Sequence, residues 1–243
     1  VGVRQGGYEE GYTFNWNGTA TDRSDDVRAW GWNTVRANLV CLPPNPSPNV
    51  DDLNAGIDAL IDEYTAKKIV VIVECHDITV DDLPVTDPKV QSLFPFWERL
   101  AAKYKDNTYV WFNPFNEPYG AADAAAVDGW MKLQQEALLR LRAIAPHNVF
   151  VADIPGGGQG VQTVVGDRSI TRLGQGQCNV LYSWHDYGAL GNGRTFGSPK
   201  DYDNEKANRA NHIEAYTYLR DHDIPMIIGE LGDPLTLDEG SAG

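Results

Sequence analysis

Six short runs rich in β-branched and aromatic residues recur along this chain at a nearly even step, and nothing else in the sequence limits its fold as strongly. They are Thr34 to Val40, Ile69 to Cys75, Tyr109 to Phe115, Asn148 to Asp153, Asn179 to His185 and Pro225 to Glu230. They are mostly apolar and bounded by turn residues, and read as strands covered on both faces. The segments between them carry helical spacing. Leu53, Ile57, Leu60, Ile61 and Tyr64 share one helix face, and Val90, Phe94, Trp97, Leu100, Ala101 and Tyr104 share another. Leu133, Leu138, Leu141 and Ile144 form a third face, then Ile213, Tyr216 and Leu219 a fourth. Asn49 and Asp51 suit a helix start, and Pro146 suits a helix stop.

The run starts are spaced by about 38 residues on average, enough for one strand, one helix and their turns. Strands alternating with helices predict a parallel sheet with helices outside it, because the crossovers are right-handed. Val1 to Gly6 reads as one further strand, making seven. A closed eight-unit barrel at this step needs roughly 300 residues. The expected fold is therefore a (β/α)8 TIM barrel truncated after its seventh strand, with the eighth unit missing. No linker-like shift in composition divides residues 1–243, so they are expected to form a single barrel domain, incomplete at its C-terminus.

Composition removes several classes of function. No apolar run approaches the ~18 residues of a membrane span. Twenty Lys and Arg stand against 34 Asp and Glu, a net charge of −14 without a basic stripe. That balance argues against nucleic-acid binding, which needs clustered cations. It leaves a neutral polar partner or a cation. Cys41, Cys75 and Cys178 include no C-x-x-C pair, so neither a zinc site nor a disulfide scaffold is indicated, although one bridge can form. Asn17-Gly18-Thr19 has the form of a glycosylation sequon, and the chain opens at Val1 without a signal peptide. Gly156 to Gly160 lacks the Lys-Ser/Thr of a phosphate loop and reads as a bend. Asp201, Asp203 and Asn204 lack the rest of a calcium loop and read as a solvated turn.

Polar residues close the apolar runs. Arg36 and Asn38 come first, then Glu74, His76 and Asp77, Asn116 and Glu117, Asp153, His185 and Tyr187, and finally Glu230. Parallel barrels place their chemistry at this C-terminal rim. An unpartnered charge there costs several kcal/mol, so these groups must partner one another. With Val1 to Gly6 counted as the first strand, Glu117 ends the fourth and Glu230 the seventh, on opposite sides of the ring. Carboxyl groups about 5 Å apart suit retaining glycoside hydrolysis, and a gap of ~6.5 to 9.5 Å suits inversion.

Val35-Arg36-Ala37-Asn38-Leu39, Glu74-Cys75-His76-Asp77, Asn116-Glu117-Pro118-Tyr119-Gly120, His185-Asp186-Tyr187-Gly188 and Ile228-Gly229-Glu230-Leu231-Gly232 together resemble the family 5 glycoside hydrolases, whose acid/base and nucleophile follow strands four and seven. The resemblance spans nearly the whole chain in order. Around His76-Asp77, Asn116 to Gly120 and Ala152-Asp153-Ile154-Pro155 it is most like the bacterial β-mannanase branch, with cellulase-like members next. It implies that Glu230 is the nucleophile, ionised at rest. Glu117 would be the acid/base, starting protonated, a state that the Glu230 charge favours. Arg36 would orient Glu230, Tyr187 would donate to the same carboxylate, Asn116 would bond the sugar 2-OH, and His76 and His185 would contact hydroxyls. Trp184 supplies either an apolar platform or core packing. A Trp that the family carries after strand eight has no counterpart here. The resemblance further implies a secreted, cofactor-free endo-acting enzyme on β-1,4-linked mannan or glucan.

Two other classes compete. A metal-dependent barrel would use His76, Asp77, His185 and Asp186, but H-x-H and H-E-x-x-H pairs are absent and no metal is expected. A non-catalytic carbohydrate-binding or structural barrel fits the missing eighth unit but not the survival of both carboxylates. Trp97, Trp111 and Trp130 are expected in the core, with Trp30 and Trp32 packing the first helix and the strand after it.

Overall fold

In the computed structural model, residues 24–42, 50–186 and 213–231 are described. The Val1 to Gly6 strand, the Asn17 sequon, Asn49, Tyr187 and the Asp201 to Asn204 turn lie outside them. The described chain runs α1 (Ser24–Ala29), β1 (Thr34–Leu39), α2 (Val50–Ala66), β2 (Val70–Cys75), α3 (Pro88–Tyr104), β3 (Val110–Asn113), α4 (Ala124–Ile144), β4 (Phe150–Asp153), α5 (Val161–Gly166), α6 (Ser169–Arg172), β5 (Val180–Asp186), α7 (213–221) and β6 (Met226–Leu231). The six strands form one parallel sheet in chain order, each neighbour reached by a crossover. A flat sheet would hold β1 and β6 about 24 Å apart at the usual strand spacing. Instead Arg36 Nη1 on β1 lies 2.6 Å from Glu230 Oε1 on β6, so the sheet curls into the wall of a partial barrel.

The helices form where sequence chemistry starts and stops them. Asp87 caps α3 by accepting from Lys89 N at 2.8 Å, with Pro88 in the first turn. Asp123 caps α4 by accepting from Ala125 N and Ala126 N, and Ala145 and Pro146 end that helix. The expected faces of α2, α3 and α4 pack into the core, with Leu60 and Ile144 only partly covered. On α7 the expected face holds only at Leu219: Ile213 and Tyr216 are exposed, and Ala215, one turn before Leu219, is buried with it.

The core lies between helices and sheet, and it admits only some of the tryptophans. Trp97 and Trp130 are fully buried. Trp111 shares the inner face of β3 with Asn113 and stays partly exposed, its Nε1 donating to Thr108 O at 3.2 Å. Trp30 sits in the turn after α1, half exposed and edge-on to Trp32 at 4.8 Å, while Trp32 packs against the core. β6 is also less covered than a central strand: among the described residues it pairs only with β5, and Ile228 is exposed. Of the cysteines, Cys41 and Cys75 form a disulfide across the C-terminal ends of β1 and β2, and Cys178 is free and exposed. Asp77 fastens the same corner by accepting from Cys41 N at 2.7 Å and Leu42 N at 3.1 Å.

Candidate active site

Register determines which side chains meet. Arg36 pairs with Ile72, Asn38 with Glu74, Glu74 with Asn113, and Asp153 with Ser183. Side chains alternate along a strand, so Arg36, Asn38, Glu74, Asn113, Asp153, Ser183 and His185 all fall on the inner face. Trp184, between Ser183 and His185, falls on the outer face and is buried in the core, so it gives the mouth no platform. Glu230 would fall outward too in a regular strand. Trp184 pairs with Ile228 but His185 with Glu230, and the extra residue Gly229 forms a bulge that brings Glu230 inward. A Cβ at Gly229 would collide with Ser183 Oγ and press on His185 Nε2, so the bulge needs glycine.

Arg36, almost fully buried, organises the Glu230 side. Its guanidinium donates to Glu230 Oε1 at 2.6 Å, Asn113 Oδ1 at 3.0 Å, Asn116 Oδ1 at 2.9 Å and Asp153 Oδ2 at 2.9 Å, and lies 3.7 Å from Glu74 Oε2. Burial opposes its charge, but Asp153, Glu74 and Glu230 push its pKa above the usual guanidinium range. Glu74 is fully buried, and burial raises its pKa despite Arg36; its Oε2 accepts from His76 Nδ1 at 3.2 Å, whereas Oε1 has no hydrogen-bond partner among the described residues. Burial also opposes a charge on His76, but its bond to Glu74 raises that pKa.

His185, fully buried, organises the other side. Its Nδ1 lies 2.8 Å from Glu117 Oε1 and 3.7 Å from Glu230 Oε2. Its Nε2 lies 3.2 Å from Asp153 Oδ2, an ion-pair contact outside hydrogen-bond alignment. Burial opposes the imidazolium, yet Asp153 and the bond to Glu117 push the pKa up to about 9. Gly158 fits against the ring at φ +72°, where a Cβ would meet His185 Cγ at 2.5 Å, and its carbonyl accepts from His185 N at 2.8 Å. The Gly156 to Gly160 segment is thus a bend, as its sequence predicts. Glu117 itself sits at φ +42° before Pro118, a backbone conformation that costs about 1 kcal/mol or more and persists where the surroundings enforce it.

The two expected carboxylates do meet. One oxygen of each of Glu117 and Glu230 and one ring nitrogen of His185 lie within 4.8 Å of one another. Three such donors could hold a metal, but Arg36 already occupies Glu230, and a second cation would face that guanidinium. Cys41, Cys75 and Asp77 form a second such group, with both sulfurs tied up in the disulfide. Asn116 is buried, with Oδ1 on Arg36 and Nδ2 donating to Thr79 Oγ1 at 3.1 Å. Sequence reasoning gave no role to Asn113 or Asp153. Asn113 Nδ2 bonds Val151 O and Asp153 Oδ1, tying β3 to β4 beyond their backbone pair at Phe112 and Phe150. The signal was there, in polar residues ending apolar runs.

The family model for cellulase, glycosyl hydrolase family 5, matches residues 3–238. The chain belongs to this family. Its relatives include a mannan endo-1,4-beta-mannosidase of Streptomyces lividans, 25% identical over 91% of this chain and 52% of its own length. Endoglucanase E-5 of Thermobifida fusca is 24% identical over 70% of this chain and 35% of its own. The chain thus spans about half or less of the relatives it matches. Among solved structures, the mannotriose complex of Thermomonospora fusca beta-mannanase has a TM-score of 0.69 at 22% identity, covering 95% of this chain and 69% of that one, and it shares the family 5 barrel fold.

Proposed function

We propose that this chain carries the catalytic centre of a retaining, endo-acting hydrolase of β-1,4-linked polysaccharide, with mannan favoured. The supporting observation is the approach of Glu117 and Glu230 to within 4.8 Å, near the ~5 Å of retaining enzymes. Glu230, ionised against Arg36, attacks the anomeric carbon and forms a glycosyl ester as the glycosidic C–O bond breaks. Glu117, hydrogen-bonded to His185, gives the departing oxygen a proton. Water then attacks the same carbon, returns a proton to Glu117 and releases Glu230. Asn116 Nδ2 keeps a second N–H beyond that given to Thr79, suited to the sugar 2-OH. His76 is held for a hydroxyl by Glu74.

The Streptomyces lividans mannosidase supports mannan through its longer match, and the Thermobifida fusca endoglucanase supports glucan as the second reading. A polymer of this kind is met outside the cell, and the Cys41–Cys75 disulfide suits that oxidising setting. Among the described residues no helix is long and apolar enough to cross a membrane.

Glu117→Ala and Glu230→Ala should each cut turnover on mannan or cellulose by several orders of magnitude with circular dichroism unchanged. Azide should yield an α-glycosyl product from the Glu230 variant and a β-glycosyl product from the Glu117 variant. Turnover like that of the parent in either variant defeats the assignment. A parent chain that binds these glycans without cleaving them makes it a carbohydrate-binding barrel instead.

A further inference from the structure

Asp153 ends β4 fully buried, yet it contacts Arg36 and His185, the two groups that hold Glu230 and Glu117. Its Oδ2 accepts from Arg36 Nη2 at 2.9 Å and from the Glu117 backbone N at 3.1 Å, and faces His185 Nε2 at 3.2 Å. Its Oδ1 accepts from Asn113 Nδ2 at 3.0 Å. Its carbonyl accepts from Trp130 Nε1 at 2.7 Å and Gln134 Nε2 at 3.1 Å, which pins the residue to α4. Burial opposes its charge, but Arg36 and then His185 hold the carboxyl well below the usual carboxylate range. It is a permanent buried anion between two cationic groups.

We infer that Asp153 is a positioning residue that keeps the transferable proton on the His185–Glu117 pair, acting through the far nitrogen of the imidazole. This rests on the hydrolase reading for its kinetic consequence only. The 2.8 Å contact between His185 Nδ1 and Glu117 Oε1 holds one proton, placed either as imidazolium with carboxylate or as neutral imidazole with carboxylic acid. A fixed negative charge at Nε2 favours keeping that proton in the pair to higher pH. The pair gives it to the leaving oxygen and recovers one from water in the second step. Among the described residues, the charged groups facing the ring are Glu117 from the β3 end, Asp153 from β4, Glu230 from β6 and Arg36 from β1; the loop after β4 presents only the Gly158 backbone. Arg36 and burial work against the imidazolium. Of the three carboxylates, Asp153 takes no part in the proposed bond making, so it can hold its charge through the whole cycle.

The test compares the full chain with Asp153→Asn by two readouts. The first is NMR titration of 15N-labelled histidine, with His185 assigned by its disappearance in His185→Gln. The second is the pH profile of kcat/KM on a β-1,4-manno-oligosaccharide. The His185 midpoint, near 9 in the parent, should fall by about one unit or more in Asp153→Asn. The alkaline limb of the rate profile should move down with it while KM changes little. An unchanged midpoint overturns the inference, as does a uniform loss of kcat with the alkaline limb in place, the mark of a merely structural role. If Asp153→Asn does not fold, Glu117→Gln decides: with that carboxylate neutral, a His185 midpoint still well above 6.5 upholds the Asp153 coupling, and one at 6.5 overturns it. A parent that hydrolyses no β-1,4-glycan while the midpoint shifts removes the hydrolase reading and upholds the Asp153–His185 coupling.

Discussion

His185 is the residue at which the charges of this site converge, and its ionisation links the site to folding. Burial disfavours its imidazolium and Asp153 favours it, the net result being a folded-state pKa of about 9 against 6.5 for an ordinary histidine. A raised value means that the folded state holds the proton more tightly. The resulting stability is fully present below pH 6.5 and is lost as pH rises through about 9. Asp153 has the opposite sign: its stability is present above its ordinary value of 3.8 and lost only in strong acid. Thermal unfolding followed from pH 6 to 10 should therefore show a falling Tm toward pH 9, and a flat profile there would contradict the imidazolium. Arg36 illustrates the companion rule that buried ions need partners. Shortened to lysine it would lose the planar fork that serves Glu230, Asn113, Asn116 and Asp153 together.

At the scale of elements, the barrel mouth is held by short devices at strand ends. The Gly229 bulge aims Glu230, the Gly158 bend backs His185, and the Cys41–Cys75 bridge joins the ends of β1 and β2 beside His76. The bridge closes a span of 34 residues, which in the chain-entropy account stabilises the fold by about 3–4 kcal/mol. Cys41→Ser with Cys75→Ser should lose about that much in denaturant unfolding, and a loss below ~1 kcal/mol would show that the bridge restrains little. Strands and helices α2 to α4 were legible because burial imposes a period on a local stretch. The α7 face was not, since two of its three expected apolar residues, Ile213 and Tyr216, point to solvent. Trp111 misled for a related reason: apolar neighbours along β3 say nothing of how well the inner face is filled.

At the scale of the whole molecule, the curl of the sheet brings its two described edges together through Arg36 and Glu230. The approach of a Glu117 oxygen to a Glu230 oxygen within 4.8 Å fits the proposed retaining route. The first product of β-mannan cleavage should therefore be the β-anomer, seen by proton NMR before mutarotation. An α-anomer appearing first would exclude the retaining route. The βα repeat, the parallel order and the polar residues at the strand ends follow from the amino-acid order alone, because hydrophobic period and unpaired charge can be read along one dimension. Folding in three dimensions is what joins Arg36 to His185 through Asp153, pairs Cys41 with Cys75, turns Trp184 to the core and, through a bulge, turns Glu230 inward. Those outcomes depend on register and curl, which set the distance between residues far apart in the chain and leave no periodic trace within any one segment.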